Sequence, residues 1–165
     1  MQKIIFFSLS IIMATIITAC SPSPQQQTLS KNQPNDIKND LDTLYTISKK
    51  QVKNSPYLNQ NIAIALKSQQ ESQVKQAVEK VDQFVKNFNK DLSSAQIKST
   101  EADILRQQLI YANDTALELA QAGISVQSNT QKIDQLTQQA KQAQSNIEQT
   151  MLTLQQQIQA QPSRH

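Results

Sequence analysis

A single glycine, Gly123, serves the whole 165-residue chain. Hairpins and turn-rich β folds draw on glycine for positive-φ positions, so one glycine leaves few ways to build them. The chain has no alternating apolar–polar strand pattern, and its apolar residues recur at three- and four-residue spacings over long stretches. Those spacings predict an all-α protein. The expected architecture is an elongated antiparallel bundle of three to four helices with coiled-coil-like heptads, behind a cleaved signal helix and a disordered tether.

The first residues set the location. Lys3 precedes an apolar run from Ile4 to Ile17, and Ile17-Thr18-Ala19-Cys20 closes it with small residues and the sole cysteine. A basic start, an apolar middle and a small-residue end read as an export signal over residues 1–19. Counted on to Ala19 the stretch is about 16 residues, shorter than the ~20 that span a bilayer. With one cysteine there is no internal disulfide to expect, so the fold must hold by packing.

Ile17, Thr18, Ala19 and Cys20 resemble the lipobox of bacterial lipoproteins. The resemblance covers only the first 20 residues. It departs mildly from the family pattern, with Ile opening the box and Thr in second place. It implies a diacylglyceryl group on the Cys20 sulfur, cleavage before Cys20 and an acyl chain, such as palmitate, on the freed amine. Two or more chains give stable anchoring where one is marginal. In the Gram-negative branch, Asp after the cysteine favours the inner membrane. Ser21 here implies the outer membrane, facing the periplasm.

Removing residues 1–19 leaves 146, the size of one domain. Residues 20–35 read as the lipidated cysteine and a flexible linker, since Ser21 to Pro34 is polar and holds three prolines. Fully stretched, that linker would reach about 45 Å. The helical domain is expected over 36–160, with a frayed tail at 161–165. A first helix starts after Asn35 or Asp36, with Ile37, Leu41, Leu44 and Tyr45 on one stripe, and ends at Asn54-Ser55-Pro56. Beyond Tyr57 the polar Ser68–Ser72 stretch is a place to bend, leaving open whether residues 57–93 form one helix or two. Past it, Val74, Val81 and Phe88 repeat every seven residues, with Ala77 and Phe84 between and Val78, Val85 and Leu92 alongside. The next helix opens with Thr100 as N-cap and Asp103 three residues on. It ends where Gly123 offers a left-handed C-cap. The last begins after Ser128 or Asn129 and runs to about Ala160. Ile133, Ala140, Ile147 and Leu154 form its heptad, beside Leu136, Ala143, Met151 and Ile158.

Chemistry is sparse. His165, the only histidine, is the terminal residue, so neither a metal cluster nor a Ser-His-Asp arrangement is expected. Asp40 and Asp42 read as solvated helix charges that do not face each other, and no glycine-rich phosphate loop occurs. No enzyme and no cofactor are expected. The net charge of +3 is scattered rather than clustered, which speaks against nucleic acid. The expected function is a non-enzymatic structural or adaptor role, in which a protein partner or a second copy packs on the helices. The alternative is a periplasmic binding module or chaperone-like holdase offering an apolar groove. Leu152-Thr153-Leu154-Gln155-Gln156 fits the LTxxQ pattern and so resembles a family of periplasmic stress chaperones, which implies a concave apolar surface. Candidate partner or groove contacts are Phe84, Phe88, Ile147, Met151 and Leu154; the candidate lipidation site is Cys20.

Overall fold

The computed structural model of the chain describes residues 28–53, 55–68, 70–124 and 129–160. Among them lie five helices: α1 (Pro34–Val52), α2 (Ser55–Ser68), α3 (Glu71–Ser93), α4 (Thr100–Ile124) and α5 (Thr130–Gln159). The signal segment, Cys20 and the tail 161–165 lie outside the described residues.

The stretch from Tyr57 to Ser93 is two helices, and the break falls in the polar segment. The Ser68 hydroxyl donates to the Ala65 carbonyl at 2.7 Å and accepts the Gln70 N–H at 3.2 Å. That side chain substitutes for the backbone ladder and ends the helix. α2 then packs back along α3, where Ala65 and Ala77 are both buried and Lys80 reaches Asn61 at 3.5 Å.

α1 begins at Pro34, ahead of the expected Asn35 or Asp36, with Gln33 in extended backbone as its N-cap. Proline suits the first helical position because its missing N–H is unpaired there anyway. Asp36 in the first turn, and Lys49 and Lys50 in the last, complement the helix dipole. α5 opens as the sequence indicates, with the Asn129 side chain accepting the Lys132 N–H at 3.2 Å. Thirty residues give it a length of about 45 Å.

Two helix ends differ from expectation. Ser99 rather than Thr100 caps α4: its carbonyl accepts the Asp103 N–H at 3.1 Å and its hydroxyl the Ala102 N–H at 3.4 Å. Thr100 is free to bond elsewhere, and Asp103 turns to Arg106 and to Gln107. Gly123 does not adopt a positive φ and lies inside α4, which continues to Ile124. A glycine costs a helix only about 1 kcal/mol relative to alanine, too little to stop one that packs along α5.

The core gathers at one end of the bundle. Ile37 and Leu44 of α1, Leu92 of α3, Ile97 of the α3–α4 connection, Ala102 and Leu105 of α4 and Leu154 of α5 form one buried cluster. Each large side chain among them contributes roughly 1.5–3 kcal/mol by leaving water. α1 runs antiparallel to α3: Asp40 meets Ser99 just beyond α3, while Lys50 and Gln51 meet Asp91 within it. α3 runs antiparallel to α4, joined partway by Asn89 donating to Asp114 at 2.7 Å and accepting from Asn113 at 2.8 Å.

The stripes are legible but rotated. In α3 the buried positions are Ala77, Val85 and Leu92, and Val74, Val81, Phe84 and Phe88 are half-buried. In α5 they are Leu136, Ala143 and Leu154, spaced by seven and then eleven. An eleven-residue step matches the 3.6-residue turn of a straight helix more closely than a strict heptad does.

Candidate functional site

The N-terminal segment is tied to the start of α4. The Ser30 N–H donates to the Lys98 carbonyl at 2.7 Å, and the Ser30 carbonyl accepts the Thr100 N–H at 2.9 Å, making a parallel bridge of Ser30 with Ser99. The Ser30 hydroxyl adds a bond to the Lys98 carbonyl, and the Thr100 hydroxyl one to the Ser30 carbonyl. The Asn32 N–H donates to Glu101 Oε1 at 2.8 Å. Asn32 itself has φ 54°, a left-handed conformation that asparagine tolerates better than most residues. The turn carries the chain from the bridge into Pro34. Residues 28–33, expected to belong to an unstructured linker, are thus fixed from Ser30 onward.

Beneath this latch sits Asp40, 2 % exposed. Its carboxylate accepts the Lys98 N–H at 3.0 and 3.1 Å, the Ser99 N–H at 2.7 Å and the Ser99 hydroxyl at 2.6 Å. Expected as a solvated charge, Asp40 is a buried cross-link between α1 and the cap of α4. The signal for this was present: Asp40 lies three residues after Ile37 and four before Leu44, inside the apolar stripe. Asp42 is exposed, as expected, and pairs with Lys38 at 2.8 Å.

Of the candidate contact residues, Phe84 and Phe88 lie edge to face, with centroids 6.2 Å apart and planes at 65°. Phe88, Ile147 and Met151 are half-buried against the core cluster. Leu154 is 2 % exposed and belongs to the core itself, leaving almost no surface for a partner. These residues share the interior rather than forming an open apolar groove.

The exposed apolar side chains lie elsewhere. Tyr45 and Val52 on α1 are 65 % and 64 % exposed, and Tyr57 and Ile64 on α2 are 70 % and 56 % exposed. Each pair is seven residues apart, hence on one helix face. Tyr45 therefore leaves the buried stripe that the spacing gave it. Leu152, within the LTxxQ stretch, is 60 % exposed.

A groove of about 360 Å³ runs between α4 and α5, lined by Glu101, Ile104 and Gln108 on one side and by residues from Asn146 to Gln157 on the other. Six of its nine lining residues carry an amide or a hydroxyl, yet the surface they present to the groove is more apolar than polar. Among the described residues, no helix is long and apolar enough to cross a membrane, and no group of three or more His, Cys, Asp or Glu is placed to hold a metal.

No curated protein and no solved structure matches the chain. The family described as "Uncharacterised lipoprotein PM1805" matches residues 38–162, which spans α5 and nearly all of α1 and everything between them. The chain therefore belongs to that family, a membrane-anchored lipoprotein of the cell envelope whose helical domain falls in no characterised family.

Proposed function

We propose that the protein is a non-enzymatic adaptor or structural element, held in the outer membrane by a lipid on Cys20 and facing the periplasm. The observation that carries the adaptor role is the pair of exposed apolar faces, Tyr45 with Val52 and Tyr57 with Ile64. Apolar side chains at heptad spacing on adjoining helices suit a partner helix. The packing of Phe88 against the core fits an apolar-client holdase less well.

The latch supports a defined placement at the bilayer. Ser30 lies ten positions after Cys20, at most ~35 Å of chain. A lipid on Cys20 would keep the end of the bundle that holds Ser30 and Ser99 close to the membrane. The apolar pair on α2 belongs to the segment leading away from that end.

A photo-cross-linking residue at Val52 or Tyr57, introduced in intact cells, tests the adaptor role. A discrete cross-linked species, either a second copy or another envelope protein, is expected at both positions. Absence of any such species at both sites, with the protein normally abundant, would remove it.

A further inference from the structure

The exposed apolar face of α1 is flanked by one sign of charge. Residues 43–70 hold four lysines, Lys49, Lys50, Lys53 and Lys67, and no aspartate or glutamate. Lys50 is taken by Asp91, whereas Lys49 and Lys53, which bracket Val52 in sequence, pair with no carboxylate among the described residues. α4 has the opposite character. Residues 107–131 hold Asp114 and Glu118 and no lysine or arginine. Both carboxylates are exposed, and among the described residues neither meets a cation. They follow Tyr111 by three and seven positions, on the face it shares with exposed Ile104.

The two faces are also in register. α1 and α4 run in the same direction, and the contact between Asp40 and Ser99 marks one level on both. Tyr45 and Val52 lie five and twelve residues beyond Asp40; Ile104 and Tyr111 lie five and twelve beyond Ser99. Each apolar pair therefore stands about 7.5 and 18 Å above that level, and Lys53 and Asp114 differ by about 3 Å. An N-terminal anchor stands every copy on the membrane in the same sense. Neighbouring copies then present the α1 face and the α4 face at matching heights, lysine against carboxylate. Like faces would set lysine against lysine, or carboxylate against carboxylate. The α4–α5 groove opens beside Ile104, at the level of Tyr45, and has room for its ring.

We infer that Tyr45 and Val52 on α1 of one copy pack in parallel on Ile104 and Tyr111 on α4 of a second copy, with Lys53 beside Asp114. This pairing rests on the adaptor role proposed for the α1 face and names the partner. Because the two faces differ, each contact leaves one of each open, and the copies extend into a row or close into a ring.

Disulfide trapping in intact cells tests the pairing, with full-length copies carrying Val52→Cys under one epitope tag and Tyr111→Cys under another. Oxidation should yield a species bearing both tags, at least about threefold more abundant than when both tagged copies carry the same substitution, since the bond forms only between apposed side chains. Adding Lys53→Asp to the first copy should cut that yield by about threefold or more, and Asp114→Lys in the second should restore it. Tyr45→Cys with Ile104→Cys, at the lower level, gives a second pair should either substitution impair folding. No doubly tagged species, equal yields from like-substituted copies, or a yield indifferent to Lys53→Asp or unrecovered by Asp114→Lys would overturn the pairing. Capture of the Val52→Cys copy by a different envelope protein instead would overturn it too, and would leave the adaptor role standing.

Discussion

The Asp40 carboxylate holds both the backbone N–H and the hydroxyl of Ser99, at 2.7 and 2.6 Å, across 59 residues of sequence. Ser99 is fully buried and caps α4 with that same hydroxyl. One carboxylate therefore sets the position of α1, the cap of α4 and the strand-like path of Lys98 on which Ser30 docks. Asp40→Ala strands the Lys98 and Ser99 donors in the interior. It should lower unfolding free energy by about 3 kcal/mol, with Asp40→Asn intermediate. Urea denaturation reads this directly, and a loss under 1 kcal/mol would mean that water replaces the carboxylate at little cost.

Ser30→Pro removes the N–H that bonds Lys98 and the hydroxyl that reinforces it. The core does not depend on Ser30, so the melting temperature should move little. Amide hydrogen exchange at Thr100, whose N–H donates to the Ser30 carbonyl at 2.9 Å, should quicken by at least about tenfold as the latch opens. Unchanged exchange there would show that the bridge is not what protects it.

Gly123→Ala should stabilise the protein. Gly123 is helical, its φ is not positive, and a Cβ built on it meets nothing within 4 Å. Alanine is then favoured by about 0.5–1 kcal/mol, through helix propensity and a less mobile unfolded chain. A thermal melt shifted downward would restore the left-handed cap that the sequence suggested.

The Lys50 ammonium, 3.0 Å from Asp91, holds that carboxyl below the usual carboxylate range, with Gln51 donating at 3.1 Å. A folded-state value below the unfolded one stabilises the protein above about pH 4, and the benefit disappears as pH falls through the folded value. Lys50→Met should accordingly lower stability at neutral pH and match the unaltered protein in strong acid. Parallel pH profiles, offset by a constant, would assign the effect to packing of the lysine stem.

Much of this fold was written locally. Asn129 and the Ser68 stretch announced a cap and a break, because short polar side chains compete with the helical backbone over one turn. The all-α class followed from apolar spacing and the scarcity of glycine. What stayed hidden was set by tertiary partners. Asp40 reads as a surface charge until the Lys98 and Ser99 donors are placed beside it, and Gly123 reads as a stop until α4 is seen to run through it to Ile124. Ser30 sits in a polar, proline-rich stretch that carries no sign of the loop it meets nearly 70 residues on. The α4–α5 groove was equally silent, since its residues look like ordinary polar helix surface; the i, i+3, i+7 run of Glu101, Ile104 and Gln108 was the available signal. Heptads predicted the helices but not which flank of each faces inward, as Val85 and Ala143 show.

Lipid attachment at Cys20 is the claim on which location and role both rest, and intact mass spectrometry of the protein purified from membranes addresses it most directly. The account predicts a mature chain beginning at Cys20 whose N-terminal peptide carries a diacylglyceryl thioether and an amide-linked acyl chain. An unmodified thiol at Cys20, on protein that still fractionates with membranes, would contradict it.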